Sequence, residues 1–294
     1  MSNFISENQI EKAIIKVFTH NLGYRHVNCL ENDKTGRLHE TDVIIKPLLK
    51  KKLIDLNPTL PASAIEEAYE QLSQTRLDKS DLMANKEAYA LIKNGVQVEI
   101  NNAEGRQEPA TVKVIDFNEK SNNDYLVVSQ LWIQGQFIRR RTDLIVFVNG
   151  LPLIFIELKN SNIALRNAYD DNLLNYRKDI PLLFHYNAIC ILSNGLETKV
   201  GSFNSGYEHF FHWLRAENEN QVPDKKRIQL YEHHYTQNAG RRTSRRTETD
   251  VRTFRDPTFG AWVWRYHRER VPPGTLVFFG RCCHYGGEDR WRST

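Results

Sequence analysis

Two acidic residues and a lysine stand at the ends of two apolar runs in this sequence. Asp143 precedes the run 144–148, and Glu157 and Lys159 follow the run 153–156. Because side chains alternate along a strand, Glu157 and Lys159 share one face of the second run. Two carboxylates beside an ammonium can hold Mg²⁺, which polarises a phosphoryl oxygen and makes bound water more acidic. This set therefore predicts metal-dependent hydrolysis of a phosphodiester.

The two carboxylates meet only if the hairpin between the runs has the right register. The pair Asn149–Gly150 between apolar runs is typical of a tight turn. A strict two-residue turn would place Asp143 and Glu157 on opposite faces, because a shift of one residue swaps the faces of a strand. A three-residue loop, 149–151, pairs the two acids and puts Pro152 first in its strand, where it need not donate a hydrogen bond. The chemistry thus predicts the longer loop.

Acids at strand ends are often only solvated strand termini. The two runs here are almost continuously apolar, which is typical of strands buried on both faces. A carboxylate at the end of such a strand is expected to have a role.

The stretch from Arg140-Arg141-Thr142-Asp143 to Glu157-Leu158-Lys159-Asn160 resembles the nuclease region of the restriction subunit of type I restriction–modification enzymes. That region belongs to the RecB-like subgroup of the PD-(D/E)xK nuclease superfamily. The similarity extends back through 122–125 and 94–96 to the helix that opens at Ser6, and covers roughly residues 4–215. The resemblance implies an α/β fold, a PD-(D/E)xK restriction-endonuclease-like mixed β-sheet flanked by helices.

The resemblance also implies roles for the three residues. Asp143 and Glu157 would bind Mg²⁺, and Lys159 would position the water or stabilise the developing charge. Thr142 stands where the family usually has a proline, which carries no catalytic group. The resemblance thus implies that the chain is a type I site-specific deoxyribonuclease domain.

Further residues are expected to support the site. Asn172 and Tyr176 fall where the RecB-like subgroup carries Gln-x-x-x-Tyr, and residues four apart share a helix face. With Arg141 they could contact DNA or brace the site; the alternative is that Tyr176 packs in the core and Asn172 lies on the surface. Glu11, or Glu7, on the first helix could supply a further metal-binding carboxylate, or be merely solvated.

Composition limits the remaining possibilities. The chain has 294 residues, of which 40% are hydrophobic, and contains no apolar run of 18 residues that could cross a membrane. The start of the chain lacks the basic and apolar regions of a signal peptide. The four cysteines have no zinc-binding spacing, so reduced thiols and a cytoplasmic location are expected.

The charge is distributed unevenly along the chain. Residues 1–240 carry 28 Lys and Arg against 30 acids, whereas residues 241–294 carry 12 Arg against 6 acids. We therefore predict a nuclease domain over 1–220 and an Arg-rich tail over 221–294. An out-of-frame or foreign sequence is the first interpretation of the tail, because residue usage changes abruptly and the resemblance fades near Glu219. A basic DNA-binding arm and a small folded module are the alternatives.

The resemblance implies partners that the chain itself does not supply. Type I restriction subunits continue into an ATP-driven motor with a Gly-x-x-x-x-Gly-Lys-Ser/Thr loop, and no such run occurs here. ATP is thus expected only through that missing region. Double-stranded DNA and the modification and specificity subunits are the expected partners. The chain is either a fragment of such a subunit or a stand-alone nuclease, and the rival hypothesis is a catalytically silent DNA-binding or assembly module.

The apolar patterns also predict the elements that position the site. A Ser6–Gln9 capping box should start a helix that ends near Gly23, with Ile10, Ala13, Ile14, Val17 and Phe18 on one face. Helices are expected near 62–76, 83–94 and from Asn160 to about Lys178. Strands are expected near 96–101, 111–117, 125–134, 141–148, 153–159 and 188–192.

Overall fold

The computed structural model describes residues 4–101 and 104–215, together with short strand segments at 224–227, 262–264 and 280–282. The helices are α1 Glu7–Lys16, α2 Lys46–Leu56, α3 Ala62–Ser73, α4 Asp81–Asn94, α5 Leu165–Asn167, α6 Leu174–Asp179 and α7 Pro181–Phe184. The strands are β1 Arg25–Asn28, β2 Val96–Asn101, β3 Gln107–Val112, β4 Tyr125–Gln134, β5 Arg139–Val148, β6 Leu151–Leu158, β7 Ile189–Ser193, β8 Thr198–Gly201, β9 Phe211–His212, β10 Leu214–Arg215, β11 Asp224–Arg227, β12 Trp262–Trp264 and β13 Gly280–Cys282. Most of the predicted Arg-rich tail lies outside the described residues, so the division at 220 stays a prediction.

A seven-stranded mixed sheet forms the centre of the structure. Its order is β1-β4-β5-β6-β7-β8-β9, with β1 parallel to β4, β6 parallel to β7, and the other neighbours antiparallel. The helices α5 to α7 cross between β6 and β7, because parallel neighbours need a long connection. The predicted fold class is confirmed, and the architecture is compatible with a PD-(D/E)xK-like nuclease fold.

Helices cover both faces of the sheet. On one face, α2, α3, α4 and α6 enclose the larger apolar cluster, in which Leu49, Leu53 and Phe155 are almost fully buried. On the other face, α1 buries Ile10 and Ile14 against the sheet. Each such side chain contributes about 1.5–3 kcal/mol when it is removed from water. Among the described residues, every helix is too short or too polar to span a bilayer.

The first helix is fixed in place by its N-terminus. Ser6 and Gln9 form the predicted capping box. The backbone N–H of Glu7 donates to Asn160 Oδ1 at 2.8 Å, and the N–H of Ile5 donates to Ser161 Oγ at 2.8 Å. Asn160 and Ser161 directly follow the Glu-x-Lys segment of β6, so α1 begins beside the predicted site.

Several predicted elements have different bounds. The expected strand at 111–117 is instead β3 at Gln107–Val112, and the helix expected from Asn160 begins at Leu165 and runs through a π-helical turn, Ala168–Leu173. Strand β1 was not predicted, because its sequence Arg-His-Val-Asn has no apolar alternation and none of its residues is fully buried. β1 pairs with β4 because β4 offers an open edge of the sheet there. The residue pattern of β1 itself does not predict a strand.

The turn between β5 and β6 is shorter than predicted. Val148 pairs with Leu151, so Asn149 and Gly150 alone form the turn, with φ angles of 52° and 85°. Two positive φ angles are the requirement of a two-residue hairpin turn, which Asn-Gly satisfies best. The prediction of a three-residue loop was wrong.

A β-bulge in β6 has the effect that the longer loop was expected to have. Phe147 pairs with Pro152, whereas Val146 pairs with Ile154, so Leu153 is an extra residue without a partner in the ladder. One inserted residue reverses which face every later side chain occupies. The register beyond the bulge is therefore the one that the predicted chemistry requires.

The turn itself is held from several sides. Asn149 is fully buried, and its amide donates to the Val114 carbonyl and to Asn123 Oδ1, both at 2.9 Å. The Gly150 carbonyl accepts from the N–H of Ile45, just before α2. A Cβ on Gly150 would lie 2.7 Å from the Ile45 carbonyl oxygen, so glycine is required both by its φ and by this close approach.

Gly150→Ala is expected to destabilise the fold much more than Gly36→Ala. Both glycines have positive φ, at 85° and 88°, so both substitutions carry the left-handed penalty of about 1–2 kcal/mol. Only Gly150 also meets backbone atoms, whereas nothing lies within 4 Å of the Cβ position of Gly36. Urea unfolding of the two variants checks this. Equal losses of unfolding free energy would contradict the packing role assigned to the turn.

Candidate active site

Asp143 and Glu157 lie opposite each other on neighbouring strands. Leu144 pairs with Ile156, and the same register extended by one residue sets Asp143 against Glu157. Asp143 Oδ2 accepts a hydrogen bond from the backbone N–H of Leu158 at 2.8 Å, which ties it to β6. The structure thus brings together the two acids that the sequence singled out.

Both carboxylates occupy a poorly hydrated place in the sheet. Glu157 is 1% exposed, and burial, with the neighbouring Asp143 carboxylate as the next cause, raises its pKa well above the ordinary value. Burial likewise raises the pKa of Asp143 to about 7, although the hydrogen bond from Leu158 opposes this. Desolvation penalises the charged form of a carboxyl group unless a cation compensates it.

Lys159 supplies part of that compensation. Its Nζ donates to Glu157 Oε1 at 2.9 Å and to the Leu158 carbonyl at 3.0 Å. Burial alone would lower the pKa of this ammonium, but Glu157, Asp143 and Glu7 together outweigh burial, so the pKa is raised and Lys159 is charged at neutral pH. The predicted Asp143–Glu157–Lys159 group is therefore assembled where the middle of β5 lies beside the end of β6.

One oxygen of this group has no partner. Glu157 Oε2 is buried and accepts no hydrogen bond from any described residue. An unpartnered buried carboxylate oxygen beside a second carboxylate is a donor set that suits a hard divalent cation such as Mg²⁺, which prefers oxygen ligands. The residues present therefore fit a Mg²⁺ ion. Within the described part of the chain, no three His, Cys, Asp or Glu side chains are close enough to bind one ion, so direct protein ligands would be few.

Glu11 approaches the pair from α1. It is 9% exposed, accepts a hydrogen bond from Gln130 Nε2, and is close enough to raise the pKa of Asp143. Burial raises the pKa of Glu11 itself. Glu7, one turn earlier, also raises the pKa of Asp143 and of Glu157. Glu7 and Glu11 on the first helix therefore both act electrostatically on the pair, and a metal-binding role for either stays a prediction.

Tyr176 braces β5, the strand that carries Asp143. Its ring packs edge-on against Phe155 with centroids 5.4 Å apart, and its hydroxyl donates to the Arg141 carbonyl at 2.8 Å. Asn172, half-buried one turn earlier, is a hydrogen-bonding neighbour that lowers the pKa of Tyr176, while burial raises that pKa overall. The Tyr176 side chain is 5% exposed, so its contact is with β5 two residues before Asp143.

Arg141 is exposed on the strand that carries Asp143. Its guanidinium carbon lies 5.5 Å from the centre of the Trp132 ring, and that of Arg139 lies 4.0 Å from the same ring. Arg139 also pairs with Glu40, whereas Arg141 makes no ion pair with a described carboxylate. Trp132 and Arg141 therefore offer a flat ring and a positive charge next to the site.

Sequence reasoning missed Gln130. This residue lies on β4 between the pairs Ser129–Leu144 and Leu131–Thr142, which places it opposite Asp143. The available signal was weak: a Ser-Gln pair interrupts an otherwise apolar strand. A long polar side chain in a buried strand can mark a contact that the strand pattern alone does not explain.

Comparison with known proteins identifies a family model and several relatives that this chain resembles. Residues 4–209 match the model of the family described as the N terminus of the type I restriction enzyme R protein. The chain is 34% identical over 223 residues to the MjaIXP type I restriction enzyme endonuclease subunit of Methanocaldococcus jannaschii, covering 72% of this chain and 21% of that protein. It is 32% identical over 228 residues to the HindI type I restriction enzyme endonuclease subunit of Haemophilus influenzae, covering 74% of this chain and 21% of that protein. The chain thus spans about a fifth of the length of these relatives.

Without a metal ion, Asp143→Asn is expected to leave the protein as stable as the unchanged chain, or more stable, at about pH 8. The folded pKa of Asp143 is about 7 against an ordinary 3.8. The stability that this shift contributes is fully present below the ordinary pKa and is lost as the pH rises through the folded pKa. An asparagine does not ionise, and its Oδ1 can still accept the hydrogen bond from Leu158.

Thermal melts between about pH 4 and pH 8 in a chelator check the direction of the effect. The melting temperature of the unchanged chain should fall relative to that of Asp143→Asn as the pH rises. Asp116→Asn is a control of opposite sign, because a hydrogen bond from Asn122 and others from backbone N–H groups lower the pKa of Asp116 to about 2. That variant should be less stable at neutral pH. A loss of stability in Asp143→Asn at every pH would mean that Asp143 is structural.

Proposed function

Because the chain belongs to the family of type I restriction enzyme R protein N termini, we propose that it is a Mg²⁺-dependent endonuclease domain that hydrolyses DNA phosphodiesters. The observation that supports this proposal most directly is the pairing of buried Glu157 with half-buried Asp143, with Lys159 beside them and one Glu157 oxygen unpartnered. Two adjacent acids in a poorly hydrated place can both be ionised at neutral pH only if a cation is bound between them; without a cation they retain a proton. A structural role alone does not account for this arrangement.

Each residue of the site would have its own role in the reaction. A divalent cation held by Asp143 and Glu157 would supply positive charge at the phosphate and acidify water there. Lys159 holds its ammonium against Glu157, so it would present fixed positive charge where negative charge develops in the transition state. Tyr176 keeps the Asp143 strand in place through its hydrogen bond to the Arg141 carbonyl. The buried setting of the site makes each of these charges more effective than it would be in water.

DNA would approach over Arg141 and Trp132. Exposed arginines bind phosphates, and aromatic rings stabilise guanidinium groups stacked on them. Arg141 is two residues from Asp143 on the same strand, which corresponds to about 7 Å along the strand. A phosphate bound by Arg141 would therefore lie within one or two nucleotides of the phosphate that is cleaved. Asn172 is a further candidate for contact with DNA.

The partners follow from the family and are part of the proposal. Double-stranded DNA is the substrate, and the modification and specificity subunits of a type I restriction complex are the proposed protein partners. ATP would act only through a motor region that is not within these 294 residues.

Nicking of supercoiled plasmid by the purified chain with Mg²⁺ is the direct test. Glu157→Gln and Lys159→Met should each lower the nicking rate by about 100-fold or more, because fixed charges at a reacting phosphate are worth that much. The matched controls are Glu66→Gln and Lys50→Met, which remove the same charges from an exposed ion pair between α2 and α3. These controls should nick at the unchanged rate, since surface ion pairs contribute little.

The rival hypothesis predicts a different result. A silent binding or assembly module would bind DNA in a gel-shift assay without nicking it, and Glu157→Gln would then change nothing. Binding of Mg²⁺ by calorimetry separates the cases further. If the unchanged chain and Glu157→Gln bind Mg²⁺ equally, the proposed metal site is wrong.

Arg141→Gln is expected to weaken DNA binding and to lower the salt dependence of the affinity. Each phosphate contact contributes about one unit to the slope of log K against log salt concentration, so the slope should fall by about one. Arg106→Gln, in the loop between β2 and β3 of a separate sheet, is the control. Fluorescence anisotropy across a salt series measures both. An unchanged slope in Arg141→Gln would remove Arg141 from the DNA-binding surface.

A further inference from the structure

Gln130 has a backbone conformation that its position in a strand does not explain. Its φ angle is 56°, and within the described residues the other non-glycine with positive φ is Asn149, in a hairpin turn. A left-handed conformation is uncommon for residues other than glycine, asparagine and aspartate. A strained conformation of this kind persists when the surrounding contacts force the residue to adopt it. Such residues are often found at functional sites.

The left-handed residue reverses the alternation of β4. Before it, Leu126 and Val128 face the larger apolar cluster; after it, Leu131 and Ile133 face the same cluster. The change from even to odd positions means that β4 is kinked at Gln130. Because Gln130 lies opposite Asp143, the kink occurs at the level of the candidate site.

The side chain of Gln130 crosses from the sheet to α1. Its Nε2 donates to Glu11 Oε2, joining residues 119 positions apart in the sequence. Glu11 is buried, and this contact holds its carboxylate without adding a second charge. A neutral amide can therefore fix the direction of the Glu11 carboxylate while leaving its negative charge available to the site.

We propose that Gln130 is a positioning residue, which holds the Glu11 carboxylate towards the Asp143–Glu157 pair so that it accepts hydrogen bonds from the waters of a bound Mg²⁺ ion. This rests on the proposed function. Mg²⁺ in proteins keeps several waters and binds few carboxylates directly, which agrees with the absence of a three-ligand group among the described residues. Substitution of residues that orient such outer contacts typically lowers metal affinity by about 10- to 100-fold.

Gln130→Gly separates positioning from folding. Glycine adopts positive φ without strain, so the melting temperature without metal should be unchanged or higher. The amide is lost, so Mg²⁺ affinity should fall by about 10-fold, the lower end of the range for outer contacts. Calorimetry measures the Mg²⁺ dissociation constant, and the rise in melting temperature with Mg²⁺ gives a second measurement that does not depend on activity.

Two further variants provide a control for the glycine substitution and a test of whether Gln130 acts through Glu11. Gln134→Gly, on the same strand, should lower the melting temperature without changing Mg²⁺ affinity. Glu11→Gln should lower Mg²⁺ affinity like Gln130→Gly, and the double variant should lose little more than either single variant, because both would remove one shared contact. Fully additive losses would contradict an action of Gln130 through Glu11.

The outcomes distinguish this inference from the proposed function. If Asp143→Asn abolishes Mg²⁺ binding while Gln130→Gly binds Mg²⁺ like the unchanged chain, Gln130 has no positioning role but the metal site stands. A lowered melting temperature of Gln130→Gly at unchanged Mg²⁺ affinity would make Gln130 structural, and also overturns the inference. If the unchanged chain shows no Asp143-dependent Mg²⁺ binding, both the proposed function and this inference fall.

Discussion

The crowding of a buried and a half-buried carboxylate beside one ammonium is the constraint on which the rest of the site depends. Asp143 and Glu157 meet across two central strands, where water cannot hydrate them fully. Lys159 can satisfy one Glu157 oxygen and leaves the other without a partner. A fold that served stability alone would replace such a group with apolar side chains, because a buried ion pair seldom compensates its own desolvation. The unfavourable electrostatics is therefore best understood as preparation for a bound cation.

The sheet produces this crowding through two irregularities. The bulge at Leu153 restores the register that the two-residue turn would otherwise spoil, and the left-handed Gln130 kinks the strand on the other side of Asp143. Regular pairing of β5 with β6 beyond the two-residue turn would place Asp143 and Glu157 on opposite faces of the sheet. Bulges and strained residues commonly occur next to active sites because they redirect single side chains without breaking the sheet.

The helices then fix what surrounds the acids. The N-terminus of α1 is hydrogen-bonded to Asn160 and Ser161, immediately after the segment that carries Lys159. This short connection ties the direction of α1, and of Glu11 on it, to the end of β6. Tyr176 lies in the larger apolar cluster, on the other face of the sheet from α1, and fixes β5 through one hydrogen bond to its backbone. The site is thus held by contacts to backbone atoms, which are less adaptable than contacts between side chains and favour a preorganised arrangement.

The sequence by itself determined the apolar strands, the hairpin and the acids at their ends, because alternation, turn residues and charge are local properties. The sequence also determined the start of α1, since a capping box is formed by residues only three positions apart. Only the tertiary structure decided the register, because a bulge depends on how two strands and α2 pack around the Asn149–Gly150 turn. The same holds for β1, which pairs without an apolar pattern, and for the contact of Gln130 with Glu11. No local pattern predicts a contact between residues that are 119 positions apart in the sequence. Such a contact forms only when the chain has folded.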